Sequence, residues 1–133
     1  MPYAILRFQK RKAGGVAACE RHNERKKEAY KSNPDIDMER SKDNYHLVNP
    51  PRYTYKKEIN RMVAEAGCRT RKDSVMMVET LITASPEFMN SLPPKEQKAY
   101  FTMALDFISE RVGEQNILSA VVHMDERTPH MHL

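Results

Sequence analysis

The apolar and polar positions divide the chain into short segments with two different periods. Alternating or continuous apolar runs bounded by glycine and proline predict β-strands, and apolar positions repeating every three or four residues predict helices. The predicted strands cover residues 3–8, 45–48, 74–84, 116–125 and 130–133, and the predicted helices cover 16–31, 53–66 and 95–112. Gly14 and Gly15 are expected to separate the first strand from the first helix, and 32–51 to form a long surface loop around the second strand.

The order of these elements predicts the fold class. A strand, a helix, a loop with a short strand, a helix, an apolar strand, a long helix and a final hairpin indicate an α+β domain. We expect a two-layer arrangement, in which helices pack on a mostly antiparallel sheet. The length of 133 residues fits one domain with a single core. The stripe of Phe101, Leu105, Ile108 and Val112 on the last helix is typical of core packing.

The predicted terminal hairpin carries three of the five histidines of the chain, His123, His130 and His132. If a turn at 126–129 pairs Asp125 with His130, then His123 lies directly opposite His132 and all three side chains share one face. Side chains on such a face are separated by about 5 Å directly and about 7–8 Å diagonally, so three imidazoles can reach one ion. Met131 then points into the core. The hairpin therefore predicts a metal site whose open coordination positions allow chemistry.

Two carboxylates follow the first of these histidines. Glu126 is placed to be either a further ligand or a general base, and Asp125 to hold a ligand imidazole by accepting its second N–H. An ordinary hairpin with exposed histidines is the alternative, but three histidines on one face beside two carboxylates favour metal binding.

The first predicted helix carries a second group of reactive side chains. Ala18, Arg21, His22 and Arg25 share one of its faces through three- and four-residue spacing. His22 and Arg25 therefore look out over the same turn. Either His22 takes part in chemistry, or it is a surface histidine bonded to a neighbour.

The charge is distributed unevenly. The net charge is +4, yet residues 1–72 contain 18 basic and 9 acidic side chains, and residues 73–133 contain 4 basic and 9 acidic ones. A basic half beside a histidine-bearing acidic half is typical of a protein that binds a polyanion near a cation, which favours nucleic acid as the partner. The two cysteines lack ligand spacing, and no transmembrane or signal segment is visible, so we expect a cytoplasmic protein with no membrane partner.

Two motifs resemble those of the Mob/Pre plasmid mobilisation relaxases, which belong to the HUH endonucleases. One is Arg-His-Asn-Glu-Arg at 21–25, and the other is the run at 123–132 that ends in His-Met-His. Asn44 and Tyr45 are similar, more weakly, to the middle motif of the family. The resemblance extends over essentially the whole chain.

The resemblance implies a nickase that cuts and rejoins one DNA strand at a plasmid transfer origin, presented as single-stranded or hairpin DNA. It implies that His123, His130 and His132 hold Mn²⁺ or Mg²⁺ and that His22 attacks the phosphate, forming a covalent 5′-phospho-histidine. Arg25 is then expected to disfavour the imidazolium form and afterwards to pair with phosphate, and Glu126 to orient His22 or take its proton. The residues expected to contact DNA phosphates are Arg21, Lys26, Arg71 and Lys72.

Alternatives to this reading remain open. A rolling-circle replication initiator would use Tyr45 as the nucleophile, with Tyr53 and Tyr55 as weaker candidates, and a DNA-binding module would not be catalytic at all. Relatives continue beyond the terminal motif, so residues 1–133 are expected to be the N-terminal part of a relaxase catalytic domain, truncated at the C-terminus. The terminal histidines are expected to fray there, weakening metal binding and origin affinity.

Overall fold

A five-stranded antiparallel sheet organises the computed structural model, which describes residues 3–25, 43–125 and 128–133. The strands are β1 (Ala4–Lys12), β2 (Tyr45–Val48), β3 (Val75–Ala84), β4 (Ala120–His123) and β5 (His130–His132). Their order across the sheet is β1-β3-β5-β4-β2, and every neighbouring pair is antiparallel. The predicted α+β class and antiparallel sheet are confirmed, and the histidine hairpin lies at the centre of the sheet.

Within the described residues the strands are connected by four α-helices, α1 (Ala13–Asn23), α2 (Tyr55–Ala66), α3 (Pro86–Ser91) and α4 (Pro94–Val112), and by a short 3₁₀-helix at Glu114–Asn116. Gly14 and Gly15 lie inside α1, where we expected a break, and packing of the helix outweighs their weak helix propensity. Gly67, at φ 68°, ends α2 in the left-handed conformation that glycine favours. The short α3 was not predicted. Residues 26–31 of the first predicted helix and 32–42 of the predicted loop lie outside the described residues.

The two faces of the sheet have different partners. Val122 and Met131 are fully buried in one apolar cluster with Phe101 of α4 and Met89 of α3. Neighbouring residues of a strand point to opposite faces, so the histidines beside them face the other way. That second face is covered by α1 and α2, where Val16 packs with Tyr55 and Ile59. The structure thus refines the two-layer arrangement, because helices cover both faces.

The register of the hairpin differs from the predicted one. His123 pairs with His130, and His132 pairs with Val121, so the connecting loop spans residues 124–129 instead of 126–129. The ladder ends early because the Met124 N–H and the Asp125 carboxylate bind the side chain of Asn44. A shift of two residues leaves every side chain on its original face, so the three histidines still lie together.

Among the residues that the structure describes, no helix combines the length and the apolar character needed to cross a bilayer.

Candidate metal centre and active site

The three histidines of β4 and β5 form one compact cluster. The ring centroids of His123, His130 and His132 are separated by 4.6 to 5.2 Å. One ring nitrogen from each lies within 4.8 Å of the corresponding nitrogens of the other two, which is a spacing that can hold a metal ion. His123 and His132 are buried and His130 is half-buried. The antiparallel pairing of two short strands is therefore sufficient to gather the predicted ligand set.

Each imidazole is oriented by an oxygen on its outer side. His123 Nε2 donates to the Asn23 carbonyl at 2.7 Å, and His130 Nδ1 donates to the Thr128 carbonyl at 2.8 Å. His132 Nδ1 donates to a Glu79 carboxylate oxygen at 3.0 Å. These oxygens only accept, so the partners assign each proton to the outer nitrogen and leave the lone pair on the other one. This is the arrangement that metal-bound histidines require.

The hydrogen bonding and the protonation state of His123 are also those expected of a metal ligand. The buried Nδ1 of His123 has no hydrogen-bond partner among the described residues, although such buried atoms are normally satisfied. Burial, followed by the nearby charges of His132 and Arg25, lowers the pKa of His123 to about 2. The ring is therefore neutral at physiological pH, as a ligand must be. An ion at this position would satisfy the unpartnered nitrogen, so the residues fit a metal.

Glu79 is a functional residue that the sequence analysis missed. Besides accepting from His132, it accepts from Arg11 Nη2 at 2.6 Å and from Arg11 Nε at 3.1 Å. The hydrogen bond from His132, with further help from Arg11, lowers the pKa of Glu79 to about 2, so the carboxylate is ionised. The available signal was a single carboxylate in the otherwise uncharged strand 75–84. The sequence predicts such a role for Asp125, whereas the structure pairs Asp125 with Arg25.

His22 lies beside the cluster. Its ring centroid is 6.1 Å from that of His123 and 5.7 Å from that of His132, in edge-to-face geometry. The end of α1 is tied to the same strand, since the Asn23 carbonyl accepts from His123. Helix α1 thus brings the predicted nucleophile over the predicted metal ligands.

Arg25 is held between His22 and the hairpin loop. Its Nε and Nη2 donate to the two oxygens of Asp125 at 2.7 and 2.8 Å, and both side chains are almost completely buried. Its Nη1 donates to the His22 carbonyl at 2.9 Å and lies 3.5 Å from His22 Nε2. Arg25 adopts a left-handed backbone conformation, with φ 52°, which is uncommon for a residue with a side chain. The ion pair therefore fixes the turn that follows His22.

The tyrosines considered as nucleophiles have other partners in the structure. Tyr45 is opposite Val122 in register, so its ring points to the α4 face, where Lys98 Nζ lies 5.8 Å from the ring centroid. Tyr55 is buried and donates its hydroxyl hydrogen to Glu24, and burial raises its pKa. Tyr53 is exposed, between Arg52 and Lys57.

Of the remaining predicted residues, three are exposed and two lie outside the described residues. Glu126 and Lys26 are not among the described residues. Arg21 is exposed on α1, and Arg71 and Lys72 are exposed in the turn before β3. Their assignment to DNA phosphates stays a prediction.

The fold is that of a relaxase domain. The crystal structure of the MobM relaxase domain bound to plasmid pMV158 oriT DNA, Mn-bound and at pH 6.8, superimposes with a TM-score of 0.90 and 40% identity. The match covers 98% of this chain and 68% of that one. A second Mn-bound structure of that domain, at pH 5.5, gives a TM-score of 0.88 and 39% identity.

Sequence comparison gives the same family. The Mob_Pre profile, described as plasmid recombination enzyme, matches residues 1–133, and the chain belongs to this family. It is 45% identical to a plasmid recombination enzyme of Bacillus thuringiensis over 98% of its length, and 42% identical to a type 2 enzyme of Staphylococcus aureus over 100%. The chain spans only 29% and 32% of those relatives.

Proposed function

We propose that this protein is a plasmid mobilisation relaxase, which nicks and rejoins one strand of a plasmid transfer origin with the help of a divalent metal. The observation that carries the proposal is His22 beside the three-histidine cluster, with ring centroids 5.7 and 6.1 Å apart. The likeness to the MobM relaxase domain in complex with oriT DNA supports the substrate class. Residues 1–133 would then form the N-terminal part of the catalytic domain.

We assign the metal to His123, His130 and His132. Neutral imidazoles suit first-row transition ions, whereas Mg²⁺ prefers oxygen ligands, so this donor set favours a transition ion over Mg²⁺. The Mn-bound state of the MobM domain supports the same choice. A cation bound there would polarise the non-bridging oxygens of the scissile phosphate and offset the charge of the transition state.

His22 is the proposed nucleophile. Its ring nitrogen attacks phosphorus, an N–P bond forms, the bond to the 3′ oxygen breaks, and the leaving oxygen takes a proton from solvent. The product is a 5′-phospho-histidine and a free 3′-OH, and attack by a 3′-OH in the reverse direction rejoins the strand. A neutral imidazole needs no base to attack, because its unperturbed pKa is about 6.5.

Arg25 is proposed to position His22. Asp125 engages two of its donor groups, and Nη1 is directed to the carbonyl and ring of His22. The sequence predicts that Arg25 disfavours the imidazolium form and afterwards pairs with phosphate. Its contacts with His22 support the first role, and the phosphate contact stays a prediction. Glu126 remains the proposed group for orienting His22 or taking its proton.

The test is covalent adduct formation by the full-length gene product, with labelled single-stranded origin DNA and Mn²⁺. We expect His22→Ala to abolish the adduct and Tyr45→Phe to retain it, because Tyr45 faces α4. The reverse pattern would support a replication initiator instead. Absence of any adduct in the unmodified protein would support a non-catalytic DNA-binding module.

A metal control completes the experiment. Chelation followed by stepwise addition of Mn²⁺ or Mg²⁺ should restore the adduct with Mn²⁺ at the lower concentration. Equal activity after chelation would contradict a metal-dependent reaction.

A further inference from the structure

A buried carboxylate beside the proposed nucleophile has no part in the chemistry described above. Glu24 follows His22 by two residues in the turn that ends α1, and its side chain is 5% exposed. A buried carboxylate is costly unless donors surround it. Because Glu24 lies so close to His22 in the sequence, its donors show which parts of the fold hold the end of α1.

Three separate parts of the fold supply the donors. Glu24 Oε1 accepts from the Tyr55 hydroxyl at the start of α2 and from Ser119 Oγ, just before β4, at 2.8 Å. Glu24 Oε2 lies 2.6 Å from Nε2 of His46 on β2. One helical turn earlier, Glu20 Oε1 accepts from the backbone N–H of Tyr55 at 2.8 Å.

These contacts tie the last turn of α1 to the strand that carries His123. Ser119 immediately precedes β4, and His46 pairs with Val121 of the same strand. The backbone between His22 and Arg25 is therefore held by two sets of contacts, those of Glu24 with Ser119 and His46 and those of Arg25 with Asp125. A displacement of about 1 Å of a reacting group can cost about a hundredfold in rate.

We infer that Glu24 is a positioning residue, which fixes the distance between His22 and the metal ligands through its hydrogen bonds to Tyr55, Ser119 and His46. The inference rests on the proposed function and adds Glu24, Ser119 and His46, which no predicted site contained. The length of the Glu24 side chain allows it to reach all three partners. The position of His22 therefore depends more on this length than on the charge of the carboxylate.

Two substitutions of Glu24 distinguish the effect of side-chain length from the effect of charge. Glu24→Gln keeps the length and the acceptor for Tyr55 and Ser119 but removes the charge, whereas Glu24→Asp keeps the charge and shortens the side chain by one methylene. With saturating Mn²⁺ and DNA, we expect Glu24→Asp to slow adduct formation about tenfold or more, and Glu24→Gln to retain most of the rate. The opposite ranking would overturn the inference.

A second variant covers the case in which the Glu24 variants fail to fold. Tyr55→Phe removes one donor, and its matched control is Tyr100→Phe, which removes the hydroxyl that donates to the Thr83 carbonyl at 2.9 Å beside α4. We expect Tyr55→Phe to slow adduct formation with unchanged affinity for Mn²⁺ and DNA, and Tyr100→Phe to affect stability alone. Equal rates in the two variants would overturn the inference.

A measurement without catalysis keeps this inference separate from the proposed function. A trace of Mn²⁺, far below the protein concentration, should broaden the NMR signals of the His22 ring, and this broadening falls steeply with distance. Tyr55→Phe should weaken it and Tyr100→Phe should not; unchanged broadening in Tyr55→Phe would contradict positioning. If the unmodified protein forms no adduct, the proposed function fails, and the broadening alone decides about Glu24.

Discussion

The two faces of the central hairpin perform different tasks with neighbouring residues. On one face Val122 and Met131 are fully buried against Phe101. On the other face lie His123, which follows Val122, and His132, which follows Met131. They form a cluster beside His22. The first face is stabilised by removing apolar surface from water, and the second depends on the satisfaction of each polar atom by a specific partner.

This difference teaches how the site obtains its precision. The short strands β4 and β5 cannot be stable alone, so the apolar face supplies the stability that keeps their register. The register then sets the spacing of the imidazoles. Changes on the apolar face should therefore alter how much protein is folded, and changes on the histidine face should alter what the folded protein binds.

The largest effect is expected from the apolar face. Phe101→Ala should lower the free energy of unfolding by about 3–5 kcal/mol, because it removes a fully buried ring and leaves a cavity. Phe107 is a matched control on the same helix, since 48% of it is exposed, and Phe107→Ala should cost about 0.5 kcal/mol. Urea denaturation measures both. Titration of the folded fraction with Mn²⁺ should give unchanged affinity; weakened binding in Phe101→Ala would contradict the separation of the two faces.

The next largest effect is expected at the buried ion pair. Asp125→Ala leaves the guanidinium of Arg25, with its side chain 7% exposed, without its carboxylate, which should cost about 3 kcal/mol. Removing both partners should cost less than the sum of the single changes, which a double-mutant cycle in urea measures. Additive effects would mean that the two side chains do not stabilise each other. As a control, Glu58→Ala on α2 breaks an exposed ion pair with Arg61 and should change stability little.

A smaller effect is expected at the carboxylate behind the metal ligands. Glu79→Gln weakens the hydrogen bond that orients His132, and outer partners of this kind contribute about 10–100-fold in metal affinity. Isothermal titration with Mn²⁺ should show a loss in this range. Glu110→Gln, at an exposed position of α4, should leave the affinity unchanged. A loss in both variants would indicate a general charge effect instead of a local contact.

The sequence predicted the elements and the histidine face for a physical reason. Alternation has a period of two, so the error of two residues in the hairpin register did not move any histidine to the other face. The position of His22 over the cluster followed from the resemblance and from the order of the elements. The placement of the three histidines on one face was therefore predicted correctly, and their role as ligands stays a prediction.

Contacts between distant residues could not be predicted in the same way. Arg25 and Asp125 are 100 residues apart, and Glu79 reaches His132 across 53 residues. The sequence alone could not exclude Tyr45, since its face depends on which residue of β4 it opposes, and only the register with Val122 decides this. Such partners follow from the assembled sheet, and no periodic pattern contains them.

The smallest effect concerns a thiol between α1 and the histidine face. Cys19 is buried, and burial together with the charge of Glu79 raises its pKa to about 12, so at pH 8 it stays protonated and unreactive. Cys68 is exposed. Iodoacetamide should therefore add one label to the native protein at Cys68 and a second at Cys19 only in urea, as peptide mass spectrometry would show.

Since Asp125 anchors the end of α1 through Arg25, Asp125→Ala should let Cys19 react faster without denaturant, whereas Phe107→Ala should not. Rapid native labelling of Cys19 would mean that α1 is not held on the histidine face, and the geometry proposed for His22 would lose its support.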